Sequence, residues 1–188
     1  MRIEKVSIND ANELLSIYAP YVLNTAISFE TKVPSIKEFE RRIKRISKKY
    51  PYIKAVDENN QILGYAYANT FKNRQAYDWS VEVTIYVKEG YTKHKIGSTL
   101  YKSLELSLKD MGILNLNACI AYPRDNDSNL NTDSFLFHQK MGYSLVGTFH
   151  NSGFKFNKWY DMIWMEKMLD EHPYNPKKIN FGHWKLFE

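Results

Sequence analysis

A single cysteine, Cys119, in 188 residues has no partner for an intramolecular disulfide. That scarcity excludes a disulfide-stapled secreted scaffold and any cysteine-rich zinc site, and it fits a reducing compartment. Glycine (8) and proline (6) are too few for a collagen-like or low-complexity chain. No segment is apolar for long enough to span a bilayer: Leu14 to Phe29 is interrupted by Ser16, Pro20, Asn24 and Thr25. Met1 is followed by the charged stretch RIEKVSIND rather than an apolar signal core. A cytoplasmic protein with no membrane association is therefore expected. Also missing are H-E-x-x-H, paired metal-ligand spacing, G-x-S-x-G and a full phosphate loop. Metal hydrolysis and nucleoside-triphosphate chemistry are thus unsupported, and no metal is expected.

What is present is ordinary for a globular domain: 44% hydrophobic and 25% charged residues, enough chain to bury a core without staples. Aromatics reach 15%, with 14 Tyr and 10 Phe, which favours a mixed or sheet-rich core. The net charge of +5 is concentrated at Arg41 to Lys49, where Phe39, Ile43 and Ile46 recur at helical spacing. Charges between such apolar positions describe a solvated helix face, so no nucleic-acid partner is expected.

Arg2 to Ile8 alternates like a strand, and Ala11, Leu14, Leu15 and Tyr18 mark a helix ending near Pro20. Ser35, three residues before Glu38, opens a second helix that Pro51 stops. Tyr52 to Val56 and Gln61 to Asn69 read as strands around an Asp57–Asn60 turn, and Trp79 to Val87 is the strongest strand. Lys95 to Met111 is a helix stopped by Gly112; strand Leu114 to Ala121, helix Asp133 to Met141, strand Tyr143 to Phe149 and the segment Trp159 to Met168 follow. The order predicts one mixed α/β domain over residues 1–170, with residues 171–188 as a tail laid over it.

Three places can carry chemistry. The strand ending at Val87 runs into a helix start around Lys93, His94 and Lys95, where unpaired N–H groups and the helix dipole suit an anion. The competing reading is a strand–helix turn with a polar tip. Glu82 lies inside an apolar strand on the face of Thr84 and Tyr86, where burial raises a carboxyl toward the range of a general base. Many strand acids instead face solvent. His138 follows Phe135 and Phe137 and is either a hydrogen-bonded core residue or the readiest proton carrier of the chain. Cys119, among small and apolar neighbours, reads as core packing.

Taken together, TAISFET (25–31), RQAYDWSVEVTIYV (74–87), IGSTLY (96–101), HQKMG (138–142) and GFKFNKWYD (153–161) resemble the GCN5-related N-acetyltransferase (GNAT) superfamily. Within it they look like the phosphinothricin acetyltransferase family, over almost the whole chain to Met168. The resemblance implies a mostly antiparallel sheet, splayed at the acetyl-CoA site and flanked by helices. It also implies acetyl transfer from acetyl-CoA to a primary amine in a ternary complex, by a homodimer. The pantetheine would pair with Ile85, Tyr86 and Val87, and the pyrophosphate would sit on Lys93, His94, Lys95, Ile96, Gly97 and Ser98. Asn131 and Ser134 would lie beside the cofactor arm, with Glu82 and His138 handling protons.

Arg74, five residues before Trp79, is placed to grip an acceptor anion, with Phe29 and Tyr77 as apolar walls. Two departures stand out. The first glycine of the superfamily's pyrophosphate loop is Lys95 here, and Tyr122 to Thr132 is longer than the matching loop of the herbicide-resistance relatives. A polyamine, antibiotic or protein amine as acceptor, and a non-catalytic acyl-CoA-binding module, remain as alternatives.

Overall fold

A computed structural model describes residues 1–92 and 94–187, so Lys93 lies outside the described residues. Seven strands form one sheet in the order β1-β2-β3-β4-β5-β7-β6. They are β1 (Arg2–Lys5), β2 (Tyr52–Val56), β3 (Ile62–Thr70), β4 (Ser80–Val87), β5 (Asn115–Tyr122), β6 (Ser144–Lys155) and β7 (Lys158–Met168). All neighbours are antiparallel except β4 and β5. Helices α1 (Ala11–Asn24) and α2 (Ile36–Ser47) cover one face; α3 (Ile96–Met111) and α4 (Asp133–Lys140) cover the other. Among the described residues no helix is long and apolar enough to cross a membrane.

Period-two alternation governs β4 as expected. Val81 and Val83 join the α3 core with Leu100, Leu104 and Leu116, while Tyr86 packs on Tyr18 and Tyr21 of α1. In α2, Phe39, Ile43 and Ile46 are buried, and the Ser35 hydroxyl accepts from the Glu38 N–H at 3.3 Å. Arg41 and Arg42 of this helix pair with Glu38 one turn earlier, and Arg42 also reaches Glu30 in the preceding loop. The first strand is shorter than the alternation suggests: Ile8–Asp10 turns into a 3-10 helix.

Helix α1 does not stop at Pro20 but continues to Asn24. An interior proline costs ~3 kcal/mol. Continuation buries Val22, worth ~1.5–3 kcal/mol. It also lets the Tyr21 hydroxyl reach the Val87 carbonyl at 2.5 Å, which adds ~1 kcal/mol. The last hairpin is likewise longer than its pattern, because β6 bulges between Phe149 and Gly153 and so resumes pairing with β7 through Lys155. Phe156 and Asn157, both at positive φ, make its turn.

The C-terminal segment lies on its own domain. Trp79 donates to the Lys177 carbonyl at 2.8 Å, Gly182 N–H to the Lys49 carbonyl at 3.0 Å, and Ile179 is buried. Trp184 sits beneath the Lys5 ammonium, 4.1 Å from its ring centre.

Candidate active site

The site originates in a failure of pairing. β4 and β5 are hydrogen-bonded only from Ser80–Glu82 to Asn115–Asn117; beyond that β4 stays with β3 and β5 stays with β7. The buried Asn117 amide bonds the Val81 carbonyl at 3.1 Å, just before the strands part. Lys88 N–H bonds Leu63 on the β3 side, so antiparallel alternation aims the main-chain groups of residues 85 and 87 into the gap. An extended acyl chain that adds to a sheet requires such an open edge.

A cavity of about 300 Å³ fills this gap. Glu82, Thr84, Ile85 and Tyr86 line it from β4, Cys119 and Ala121 from β5, and Tyr67 from β3. Ser28 and Phe29 close it from the loop after α1, Tyr101 from α3, and Ser134 and His138 from α4. Glu82 and His138 thus share one cavity although 56 positions apart in the chain. Burial pushes the Glu82 carboxyl above the usual range, partly opposed by the Lys72 charge. Cys119 is not core packing: it is exposed and faces the cavity, because the gap uncovers that side of β5. Although the residue opens onto the cavity, the protein packed around its sulfur and the Glu82 charge push the thiol up to about 12, so it stays protonated.

His138 is buried, with Nδ1 2.7 Å from the Ser134 carbonyl and Nε2 2.9 Å from the Tyr101 hydroxyl. A carbonyl only accepts, so Nδ1 carries the hydrogen and Nε2 accepts from Tyr101. Burial pushes the imidazole down to about 4, and it is neutral at pH 7.

At the other end of the gap, Lys95 precedes α3 at φ 63°, the left-handed conformation that suits glycine. The backbone shape of a glycine position is therefore kept under a lysine. The Ser98 and Thr99 hydroxyls turn back to the Lys95 carbonyl, at 2.9 and 3.0 Å, and no side chain caps the helix among the described residues. Its first N–H groups can therefore hold a pyrophosphate. Ile96 is buried in the core and can offer only its main chain. Gly97 has a packing reason as well: a Cβ there would lie 3.2 Å from the Phe137 ring. His94 is exposed, its ring 6.4 Å from that of Tyr91.

The remaining expected residues are distributed unevenly. Asn131 stays outside the cavity wall and makes an Asx turn at α4, accepting from Asp133 N–H at 3.1 Å. Arg74 is exposed and Tyr77 packs edge-on against Phe71; neither lines the cavity. The cation whose charge reaches Glu82 and Cys119 is Lys72, which also lies over the Phe71 and Trp164 rings at 5.1 and 5.7 Å. The sequence reading missed Lys72, Tyr67 and Tyr101. A tyrosine closing the otherwise apolar face of IGSTLY was the available signal for Tyr101. The long 122–132 loop is held against the loop after α1 and the β6–β7 hairpin. Arg124 pairs with Asp161 at 2.7 Å, Asp127 with Lys158 at 2.7 Å, and Asn129 accepts from Ala26 N–H at 2.9 Å.

Residues 3–164 match the family model described as an acetyltransferase (GNAT) domain. The chain is 32% identical to a phosphinothricin N-acetyltransferase of Streptomyces coelicolor, covering 85% of this chain and 91% of that protein. It is 29% identical to that of Streptomyces viridochromogenes, over 95% and 93% of the two chains. The crystal structure of a phosphinothricin acetyltransferase from Sinorhizobium meliloti in complex with AcCoA superimposes with a TM-score of 0.84. That pair is 27% identical, with 97% and 98% of the chains covered.

Proposed function

The chain belongs to the GNAT acetyltransferase family, and from that premise we propose that it is an acetyl-CoA-dependent enzyme for the primary amine of a small anionic, amino-acid-like molecule. Phosphinothricin and methionine sulfoximine are the model acceptors. Acetyl-CoA supplies an activated thioester; the chain supplies the open edge of β4 for its arm and the start of α3 for its phosphates. The observation that carries the reading is Glu82, a carboxylate with a raised pKa on the wall of the cavity where β4 and β5 part.

An alkyl amine with a pKa near ~10 is protonated at neutral pH and cannot attack a thioester. Glu82 removes that proton, directly or through water. The main-chain N–H groups at residues 85 and 87 face the carbonyl oxygen as it gains charge. The C–N bond forms, the C–S bond breaks, and the second amine proton leaves with the thiolate. Neutral His138 holds the Tyr101 hydroxyl at the cavity wall rather than acting as a charged acid. Lys72 attracts the acceptor's anionic group, with Arg74 in the same segment adding charge at the rim.

A homodimer belongs to the same reading. Leu145, Val146, Phe149, Phe154 and Trp159 of the β6–β7 hairpin are each more than half exposed. Thiol release from acetyl-CoA with phosphinothricin, methionine sulfoximine, neutral amino-acid amides and polyamines tests the assignment. Turnover of the anionic amines alone is expected; preferential turnover of polyamines overturns the acceptor class.

A further inference from the structure

Lys155 is buried to 6% exposure, an unusual place for a lysine. It stands on β6 opposite Lys158, at the turn of the β6–β7 hairpin. Its ammonium donates to the Thr25 and Ser28 carbonyls, each at 2.7 Å. A buried charge needs such partners, and the carbonyls of an irregular segment need a donor from elsewhere. The segment they belong to carries Ser28 and Phe29, which form the wall of the cavity. Gly153, two residues earlier on β6, lies under the Phe29 ring: a Cβ there would collide with it. The hairpin thus holds the loop at two points, an ammonium under its carbonyls and a bare glycine under its aromatic ring.

We infer that Lys155 is a positioning residue for the acceptor: it clamps the Thr25–Ser28 curl and so sets where Ser28 and Phe29 stand across the cavity from β4. The inference rests on the acetyl-transfer reading, in which this half of the cavity receives the amine. The clamp uses a charge-assisted donor on two acceptors, stronger than a neutral pair and directed at one short segment. Burial pushes the ammonium below the usual lysine range, and the Glu30 charge opposes that.

The test compares Lys155→Met and Gly153→Ala with the wild type by steady-state kinetics, acetyl-CoA calorimetry and amide hydrogen exchange. For Lys155→Met, KM for the acceptor should rise roughly 5–100-fold, the shift that follows from stranding buried acceptors. Acetyl-CoA affinity and kcat should change little, while exchange over residues 25–31 accelerates and α3 stays protected. Gly153→Ala, which keeps the ammonium but displaces Phe29, should raise the acceptor KM without changing acetyl-CoA affinity. This second variant decides if Lys155→Met does not fold. An unchanged acceptor KM, or a loss of kcat and acetyl-CoA affinity in parallel with KM, overturns the inference. If the wild type acetylates no amine, the acetyl-transfer reading fails separately. Exchange over residues 25–31 then decides the clamp, and no acceleration in Lys155→Met sinks it.

Discussion

The Tyr101 hydroxyl donates to His138 Nε2 across 2.9 Å because the other ring nitrogen is already committed to the Ser134 carbonyl. The pair is therefore a neutral unit at pH 7, with the hydroxyl oriented by the imidazole. Tyr101→Phe and His138→Phe should each lower kcat, and the double variant should cost less than the two together. A coupling of ~0.5–3 kcal/mol is the usual size for residues in direct contact. Strict additivity in a double-mutant cycle would show that the two act separately.

His138 also makes stability depend on pH. Its folded value, about 4, lies below the ordinary 6.5, so the unfolded chain binds the proton first. The contribution is full above about pH 6.5 and is lost as pH falls toward about 4, an effect on the order of 3 kcal/mol. Denaturant melts of wild type and His138→Phe across that window should differ in slope. Parallel curves would contradict the neutral buried imidazole.

Glu82→Gln should lower kcat/KM by ~10²–10⁴-fold while leaving acetyl-CoA affinity nearly intact. In the wild type the rate should fall with decreasing pH on a limb set above the ordinary glutamate range, since burial raises this carboxyl. The same shift means that ionised Glu82 opposes folding at neutral pH, so the glutamine variant should melt higher there. Loss of activity together with loss of stability would point to misfolding instead of a missing base.

Lys95→Gly should stabilise the protein by about 1 kcal/mol, because a left-handed φ of 63° is free of strain only for glycine. It should also flatten the salt dependence of acetyl-CoA binding, since one screened charge is removed from the phosphate end. Calorimetry at low and high salt reads the second effect. An unaltered salt slope would mean that Lys95 does not face the phosphates.

A homodimer is expected to form through the β6–β7 hairpin. Tyr160 is buried, Trp164 meets Phe71 edge-on at 5.4 Å, and Trp184 is under Lys5, so these aromatics are covered by their own chain. Trp159, 56% exposed and 5.1 Å from Phe154, is not. Phe149→Glu with Trp159→Glu should give a monomer in light scattering. Truncation after Glu171 should leave the dimer but lower the melting temperature, since it removes Ile179. A monomeric wild type sinks the idea.

Local chemistry determined a good part of this protein from the sequence alone. The Ser35 cap, the Gly112 stop at φ 94°, the two faces of β4 and the β4-to-α3 junction all follow from residues within a few positions of one another. Glu82 and His138 were legible for the same reason, as polar groups on otherwise apolar elements, and the resemblance of whole segments added their common site. Tertiary structure decided the rest. Cys119 faces a cavity only because β4 and β5 separate after Glu82–Asn117, which no alternation along β5 records. α1 passes Pro20 because burial of Val22 and the Tyr21–Val87 bond outweigh a local rule. Lys155 goes inside because its ammonium meets the Thr25 and Ser28 carbonyls, some 130 positions away in the chain. Sequence patterns report what a residue prefers next to its neighbours in the chain; where a side chain ends depends on which strands part and which distant polar groups remain to be satisfied.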